Sequence, residues 1–147
     1  MCRLVVLAGL PGSGKSTWAA AQPEAALSSD EMRRLLADDP ADQSIHRRVF
    51  AALRYLARVR HEVGRPVTYI DATNLTPRDR RPWIKLAEML DCEAEAIFFD
   101  TALEVCLARN RTRPRIVPAQ AMAEMTRKFS PPTIAEGFQR VITLRGF

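Results

Sequence analysis

The chain has 147 residues, of which 47% are apolar and 27% are charged, and its formal net charge is +5 at pH 7. This length and composition predict one globular domain over residues 1–147 with a sizeable core and leave no room for a second domain. No run of about 18 apolar residues could cross a membrane, and the first apolar run is too short for a signal peptide, so we predict a cytoplasmic protein without a membrane partner. Nearly all of the positive charge is arginine, which by itself leaves a nucleic acid and a small anionic ligand equally open as partners.

The three cysteines, Cys2, Cys92 and Cys106, are odd in number and lack the spacing of a metal motif. We therefore predict reduced, buried thiols rather than a disulfide or a zinc site. His46 and His61 have no second ligand at metal spacing and are interpreted as surface histidines.

The most informative stretch is residues 9–17, which match the pattern G-x-x-x-x-G-K-[ST] without a mismatch. Residues 4–8 form an apolar run that predicts a buried strand before the loop, and residues 16–22 predict a helix after it. Backbone N–H groups of such a loop and the helix N-terminus surround phosphate oxygens. We therefore predict a site for ATP or another NTP made of Gly12, Ser13, Gly14, Lys15, Ser16 and Thr17.

Two side chains of this loop have predicted roles of their own. Lys15 should reach the β- and γ-phosphates, and the Ser16 hydroxyl should bind Mg²⁺. The pattern indicates nucleotide binding only, so any acceptor must be recognised elsewhere.

A weak strand over residues 25–29 brings Asp30 to the start of a helical run over residues 31–37. Ligands of open α/β sheets bind at the carboxyl ends of the strands, so this carboxylate should lie on the side of the phosphate loop. The alternative is that Asp30 caps the helix, and the local pattern alone favours the cap.

A long amphipathic helix is predicted over residues 43–63. Its core stripe is Ile45, Val49, Leu53, Leu56 and Val63. The opposite face carries Arg47, Arg54, Arg58 and His61, and we interpret it as a solvated face rather than a nucleic-acid track.

The next predicted strand, residues 66–70, ends at Asp71. In P-loop proteins an acid in this position is often the second carboxylate directed at Mg²⁺, and Asp71 could act in this way through a water. The alternative is that Asp71 caps the turn with Thr73 and Asn74. A helix over residues 76–90 and a strand over residues 93–99 follow.

Four arginines, Arg109, Arg111, Arg113 and Arg115, fall within seven residues. They follow a helix that Thr101 should cap and that should run to about Arg113, because Pro114 disfavours helical geometry before it. A second helix starts at Pro118 with Met122, Met125 and Phe129 on one stripe, and residues 141–144 form a last strand. Residues 109–130 therefore predict a lid that brings guanidinium groups onto phosphates, with a solvated corner as the alternative.

In this order the segments resemble the kinase domain of the polynucleotide 5′-hydroxyl kinases of phage and bacteria, over nearly the whole chain. The motifs are residues 12–18, residues 29–33, residues 71–75 with Pro77, Arg109-Asn110 with Arg113, and residues 117–118. The first motif is generic to P-loop kinases, and the others are more specific.

The resemblance implies an α/β fold of three layers, adenylate-kinase-like, with a central, mostly parallel five-stranded sheet and a helical lid that bears arginines. It implies transfer of the γ-phosphate of ATP or another NTP, with Mg²⁺, to the 5′-hydroxyl of DNA or RNA. Asp30 matches the general base, and Arg33 matches the arginine on the phosphate next to the acceptor's terminal nucleoside. Arg113 matches the lid arginine on the donor phosphates, and Arg109 matches a second lid arginine.

Two other functions stay open on the sequence. A P-loop kinase of a small alcohol, such as a nucleoside, a sugar or an antibiotic, would use a similar aspartate and a similar lid. A nucleotide-binding module without turnover would need no base, which makes the combination of Lys15, Ser16 and Asp30 an argument against it. The sequence does not separate DNA from RNA, and it does not predict an oligomeric state.

Overall fold

The computed structural model describes residues 2–146. Its elements in chain order are β1 (Arg3–Ala8), α1 (Lys15–Ala20), β2 (Ala26–Ser28), α2 (Ser29–Ala37), α3 (His46–Glu62), β3 (Val67–Asp71), α4 (Pro77–Met89), β4 (Glu93–Asp100), α5 (Leu103–Asn110), α6 (Ala119–Lys128), a 3₁₀ turn (Ile134–Glu136) and β5 (Arg140–Arg145). Within these residues, no helix is both long and apolar enough to cross a bilayer.

The five strands form one sheet in the order β2-β3-β1-β4-β5. Every pairing between neighbouring strands is parallel, so the predicted five-stranded sheet is confirmed and is wholly rather than mostly parallel. Because β1 is the central strand, the loop that follows it lies in the middle of the sheet's carboxyl edge. In parallel sheets of this kind that edge is where ligands bind.

Helices cover both faces of the sheet, which is why β1 is apolar at nearly every position. Leu4 and Val6 face a cluster built with side chains of α3 and α4. Val5 and Leu7 point the other way, toward a smaller cluster that includes Ala19 of α1. The three layers follow from this alternation of the strand residues.

A third apolar cluster lies at the carboxyl edge and seats α5 and α6 against the phosphate loop. It joins Leu10 of the loop to Cys106 and Met122, which are both fully buried. Met125 and Phe129 pack on it, so the stripe predicted for α6 is a packing surface.

Most predicted helix boundaries shift by one to three residues, and α3 begins at His46 instead of residue 43. Two of the shifts change the interpretation of a residue. Helix α3 ends at Glu62, and Val63 is 69% exposed, so it is not part of the core stripe. Helix α5 ends at Asn110 instead of Arg113. The buried Asn110 amide donates to the Val117 carbonyl at 2.6 Å and accepts from the Val117 N–H at 2.9 Å, which holds the loop between α5 and α6 in place of a further helical turn.

Thr101 does not cap α5, because the cap position is Ala102. The Thr101 hydroxyl instead donates to the Ser13 carbonyl at 2.8 Å. The contact ties the end of β4 to the phosphate loop.

The prediction of three reduced thiols is wrong for two of the cysteines. Cys2 and Cys92 form a disulfide, with their Cα atoms 4.8 Å apart. The reason is the register of the sheet: β1 and β4 are parallel neighbours in which Arg3 pairs with Glu93, so the residues just before them lie side by side. Ninety positions separate the two cysteines in sequence, and their spacing carries no sign of this contact. Cys106 is a buried free thiol, as predicted.

Candidate active site

The loop between β1 and α1 has a backbone that only glycine adopts readily. Gly12 has φ +83° and Gly14 has φ +102°, in the left-handed region that side chains disfavour. A Cβ at Gly12 would also lie 2.7 Å from the Cys106 carbonyl oxygen. These glycines let the loop curl tightly before the N-terminus of α1, where backbone N–H groups favour an anion.

Lys15 is the first residue of α1 and lies beneath this loop. Its ammonium donates to the carbonyls of Gly9 and Leu10, both at 2.9 Å, and to the Ser13 hydroxyl at 3.4 Å. Burial lowers the pKa of Lys15 to about 8, and the nearby Asp71 carboxylate offsets only part of that effect. The protein therefore holds a desolvated cation at the point where phosphate charge would arrive.

Ser16 and Asp71 are in contact at the carboxyl edge of the sheet. The Ser16 hydroxyl donates to Asp71 Oδ2 at 2.8 Å, and Asp71 is buried at the end of β3, the strand next to β1. A hydroxyl and a carboxylate are oxygen ligands of the kind Mg²⁺ takes, so the pair fits that ion. The turn after Asp71 is held by the Asn74 amide, which donates to the Leu7 carbonyl at 2.7 Å and the Ala72 carbonyl at 3.3 Å.

Asp30 lies in the first turn of α2, and the alternative that it caps this helix is wrong. The cap is Ser28, whose hydroxyl accepts from the Glu31 N–H at 3.2 Å. The Asp30 carboxylate is therefore free of the capping role that its position in the sequence favoured.

Asp30 instead faces three guanidinium groups. Arg33 lies one helical turn away and donates to Asp30 Oδ1 at 3.3 Å. Arg115 donates to the same oxygen at 2.8 Å, and Arg113 lies 3.6 Å from Oδ2. In the sequence Arg115 is one of the four clustered arginines that predict the lid, but its contact with Asp30 was not predicted.

The predicted lid arginines Arg109 and Arg113 lie over the phosphate loop. They line a cleft of about 460 Å³ together with Gly12, Gly14, Lys15, Ser16, Thr17 and Thr112. Arg109 donates to the Gly12 carbonyl at 3.3 Å. One amino group of Arg113, Nη1, is buried without a hydrogen-bond partner among residues 2–146. An orphaned cationic donor over a phosphate loop fits a phosphate oxygen.

Arg33 is only 5% exposed and connects Asp30 to α3. Its Nη2 lies 3.3 Å from His46 Nδ1, and because the guanidinium can only donate, the imidazole nitrogen accepts. Its Nε is buried without a partner among the described residues. His46 is exposed, as predicted, and its contact with Arg33 is a feature that the sequence did not indicate.

Beyond His46 a larger cleft of about 920 Å³ runs between α3 and α4. Four arginines line it, and Asp79 is the one carboxylate among its lining residues. The arginines are Arg47, Arg48, Arg54 and Arg78. The sequence predicted one solvated face of α3 that carries Arg47, Arg54 and Arg58. In the structure Arg47 and Arg54 line the cleft, whereas Arg58 lies outside it.

The site combines three features: a phosphate loop after the central strand of a parallel sheet, a serine and an aspartate in contact beside the loop, and arginines above it. Together they place the protein in the class of P-loop kinases. The chain belongs to the AAA domain family, whose profile matches residues 4–132. The P-loop nucleotide site predicted from the sequence pattern is typical of this family.

Similar proteins include kinases with different substrates. The bifunctional polynucleotide phosphatase/kinase of Schizosaccharomyces pombe is 29% identical over 143 residues, which are 94% of this chain and 32% of that protein. Among solved structures, the Pnkp1/Rnl/Hen1 RNA repair complex matches with a TM-score of 0.72 at 21% identity, over 86% of this chain and 43% of the matched chain. The Mycobacterium tuberculosis APS kinase CysC in complex with AMPPNP and APS has a TM-score of 0.64 at 18% identity, over 97% and 88%.

The resemblance to polynucleotide kinases is thus confirmed at modest identity, and the chain spans about a third of the curated relative it matches. The structural neighbours share the three-layer P-loop fold. Two of these relatives are named as kinases, one of polynucleotides and one of APS, so phosphoryl transfer is supported and the acceptor is left open.

Proposed function

We propose that the protein transfers the γ-phosphate of ATP or another NTP to the 5′-hydroxyl of DNA or RNA. The observation that carries this proposal is the cleft of about 920 Å³ lined by four arginines and a single carboxylate. It starts at His46, which touches Arg33, the partner of Asp30. A chain of phosphates leading away from a terminal hydroxyl fits a basic groove of this kind.

The donor nucleotide would place its phosphates between the loop and the lid arginines. Lys15 and Arg113 would contact the transferring phosphate, and Arg109 would lie beside it. Ser16 and Asp71 would hold Mg²⁺, directly or through a water, and the ion would neutralise charge on the β- and γ-phosphates. The unpartnered Nη1 of Arg113 supports this arrangement.

The acceptor would approach from the other side of Asp30. As general base, Asp30 would take the proton of the attacking hydroxyl, and Arg33 would bind the adjacent phosphate. The hydroxyl must compete with Arg115 for the Asp30 carboxylate, which that arginine contacts at 2.8 Å. We propose that residues 109–130 act as a lid on a single kinase domain, and that movement of the arginines between α5 and α6 exposes Asp30 to the acceptor.

The competing function is phosphorylation of a small alcohol. The size of the larger cleft does not separate the two, because pockets for small ligands span roughly 300–1,000 Å³. The charge of the cleft favours a polyanionic acceptor, because a neutral alcohol gains nothing from four guanidinium groups that are costly to bring together.

The direct test offers labelled ATP and Mg²⁺ with a 5′-hydroxyl oligonucleotide, beside nucleosides, nucleoside 3′-monophosphates, sugars and adenylyl sulfate. We expect kcat/KM to rise from nucleoside to 3′-monophosphate to oligonucleotide, as first Arg33 and then the basic cleft gain a phosphate. Equal or better turnover of a nucleoside or a sugar would establish the small-alcohol function instead.

The KM of the oligonucleotide should rise with salt concentration. If three or four cleft arginines each neutralise a phosphate of a single strand, the slope of log KM against log salt concentration should be about 2 to 3. Arg54→Ala should raise KM and reduce the slope by about 0.7. Arg58→Ala, an exposed arginine one turn further along α3 and outside the cleft, is the matched control. A KM independent of salt would contradict the polynucleotide assignment.

Nucleotide affinity should fall as the pH rises above about 8. The pKa of Lys15 is about 8 because the side chain is buried, and phosphate charges would raise it in the complex. At a pH between the pKa of Lys15 in the free protein and its higher pKa in the complex, the complex holds one proton more than the free protein. Nucleotide affinity should therefore drop by up to about tenfold per pH unit in this range. Calorimetry with a non-hydrolysable ATP analogue, in two buffers of different ionisation enthalpy, should show proton uptake in this range.

The control for this pH dependence is Lys15→Arg, which stays charged throughout the range, so whatever its affinity for the nucleotide, that affinity should not change with pH between about 8 and 10. If the wild-type affinity is flat across the same range, Lys15 is not the group that meets the phosphates.

A further inference from the structure

Three side chains with the chemistry of metal ligands meet at the amino-terminal edge of the sheet, away from the phosphate loop. Cys2 precedes β1, Cys92 precedes β4, and His61 lies in the last turn of α3. Their sulfur and nitrogen atoms all lie within 4.8 Å of one another, and the three side chains are partly buried. They come from three separate parts of the chain, and the candidate active site uses none of them.

We propose that Cys2, Cys92 and His61, with both cysteines reduced, form a binding site for Zn²⁺ or a similar borderline-soft divalent cation. Two thiolates and one imidazole nitrogen are the ligands that zinc prefers. On binding, each thiol loses its proton to solvent, His61 Nδ1 contributes its lone pair, and a water molecule completes the tetrahedron.

The separation of His61 from Cys92 supports a shared ion. His61 Nδ1 lies 3.5 Å from Cys92 Sγ. Around a tetrahedral zinc, with Zn–S near 2.3 Å and Zn–N near 2.0–2.1 Å, the sulfur and the nitrogen are about 3.5 Å apart. The imidazole nitrogen is therefore already at the distance from the sulfur that coordination requires.

Cys2 reaches the same ion by rotation of its side chain. Two sulfurs on one zinc are about 3.8 Å apart. The Cα atoms of Cys2 and Cys92 are 4.8 Å apart, so rotation about the Cα–Cβ bonds is enough to separate the sulfurs once the disulfide is reduced.

The disulfide and the metal site are mutually exclusive, because they use the same two sulfurs. A phosphine reductant supplies the two electrons that convert the disulfide to two thiols and is itself oxidised to the phosphine oxide with oxygen from water. Only the reduced protein should bind the ion, so the oxidised protein is a control of identical sequence. Bound metal would join the end of α3 to the starts of β1 and β4 and would stabilise the fold without entering the chemistry.

The test is a titration of the reduced, full chain with Co²⁺, which reports tetrahedral thiolate ligation by its colour. We expect a thiolate-to-cobalt charge-transfer band that saturates at one ion per chain and is displaced by Zn²⁺. The oxidised protein should show no band. His61→Ala should bind Co²⁺ at least about 100-fold more weakly than the wild type, because losing a residue that only hydrogen-bonds to a metal ligand already lowers metal affinity by about 10–100-fold. Cys106→Ser removes the third, separately buried thiol and should leave the titration unchanged.

A reduced wild-type protein without the charge-transfer band overturns the proposal, and so does a band that persists in Cys2→Ser. A second measurement distinguishes loss of the metal site from misfolding of the variant. Zn²⁺ should raise the Tm of the reduced wild type and leave that of Cys2→Ser unchanged, while the phosphoryl-transfer rate of Cys2→Ser equals that of the wild type. An equal Zn²⁺ effect on both Tm values would also rule the site out.

Discussion

Asp30→Asn should lower kcat by roughly 10²–10⁴ and leave ATP affinity nearly unchanged. A 5′-hydroxyl is a poor nucleophile at neutral pH, and an ionised carboxylate within hydrogen-bond reach can take its proton as the new P–O bond forms. Asparagine keeps the shape of the side chain and lacks the basicity. Steady-state kinetics with a 5′-hydroxyl oligonucleotide, with ATP and acceptor varied separately, measure both effects.

The structure provides a matched control for this variant. Glu31 is the next residue of the same helical turn, and its carboxylate is exposed and paired with Arg34 instead of with the lid arginines. Glu31→Gln should therefore retain wild-type kcat. Because Ser28 caps α2, loss of a cap cannot explain a defect in Asp30→Asn. A near-wild-type rate for Asp30→Asn would remove the general-base assignment, and the acceptor site would then be sought around Asp71.

Lys15→Ala should reduce the rate of transfer by on the order of 10²–10³ or more in a protein that still folds. Lys15 is only 7% exposed, and its ammonium lies within hydrogen-bond distance of two loop carbonyls, so it is pre-positioned for charge that develops on phosphate oxygens. Burial disfavours this charge in the folded protein, as the lowered pKa of Lys15 shows. Removing the charge should therefore not in itself unfold the chain.

The measurement combines single-turnover kinetics with thermal unfolding of the same samples. Lys85→Ala, a change at an exposed lysine of α4, is the control and should have no effect on either quantity. Retained activity in a folded Lys15→Ala protein would remove the phosphate loop from the mechanism. Lost activity together with a large fall in Tm would instead assign Lys15 a structural role.

Local patterns predicted most of the fold. Residues 4–8 read as a buried strand because β1 is covered on both faces, and the apolar spacing of α3 and α4 marks the sides that pack on the sheet. The phosphate loop is contiguous in sequence, so its residues could be identified together. The contact between Ser16 and Asp71 could also be predicted, since Asp71 ends β3 and Ser16 follows the loop after β1, and both strands end at the same edge of a parallel sheet.

What the sequence by itself determined is therefore the set of elements and those parts of the candidate site that are contiguous or that follow a strand directly. The tertiary structure alone decided that Arg115 contacts Asp30, that Arg54 lines the basic cleft while Arg58 does not, and that Cys2 meets Cys92. Each of these contacts depends on strand order, on register or on the packing of one helix against another. A side chain's type and its neighbours in sequence do not encode those relations, because they arise only when segments far apart in the chain bury their apolar faces together.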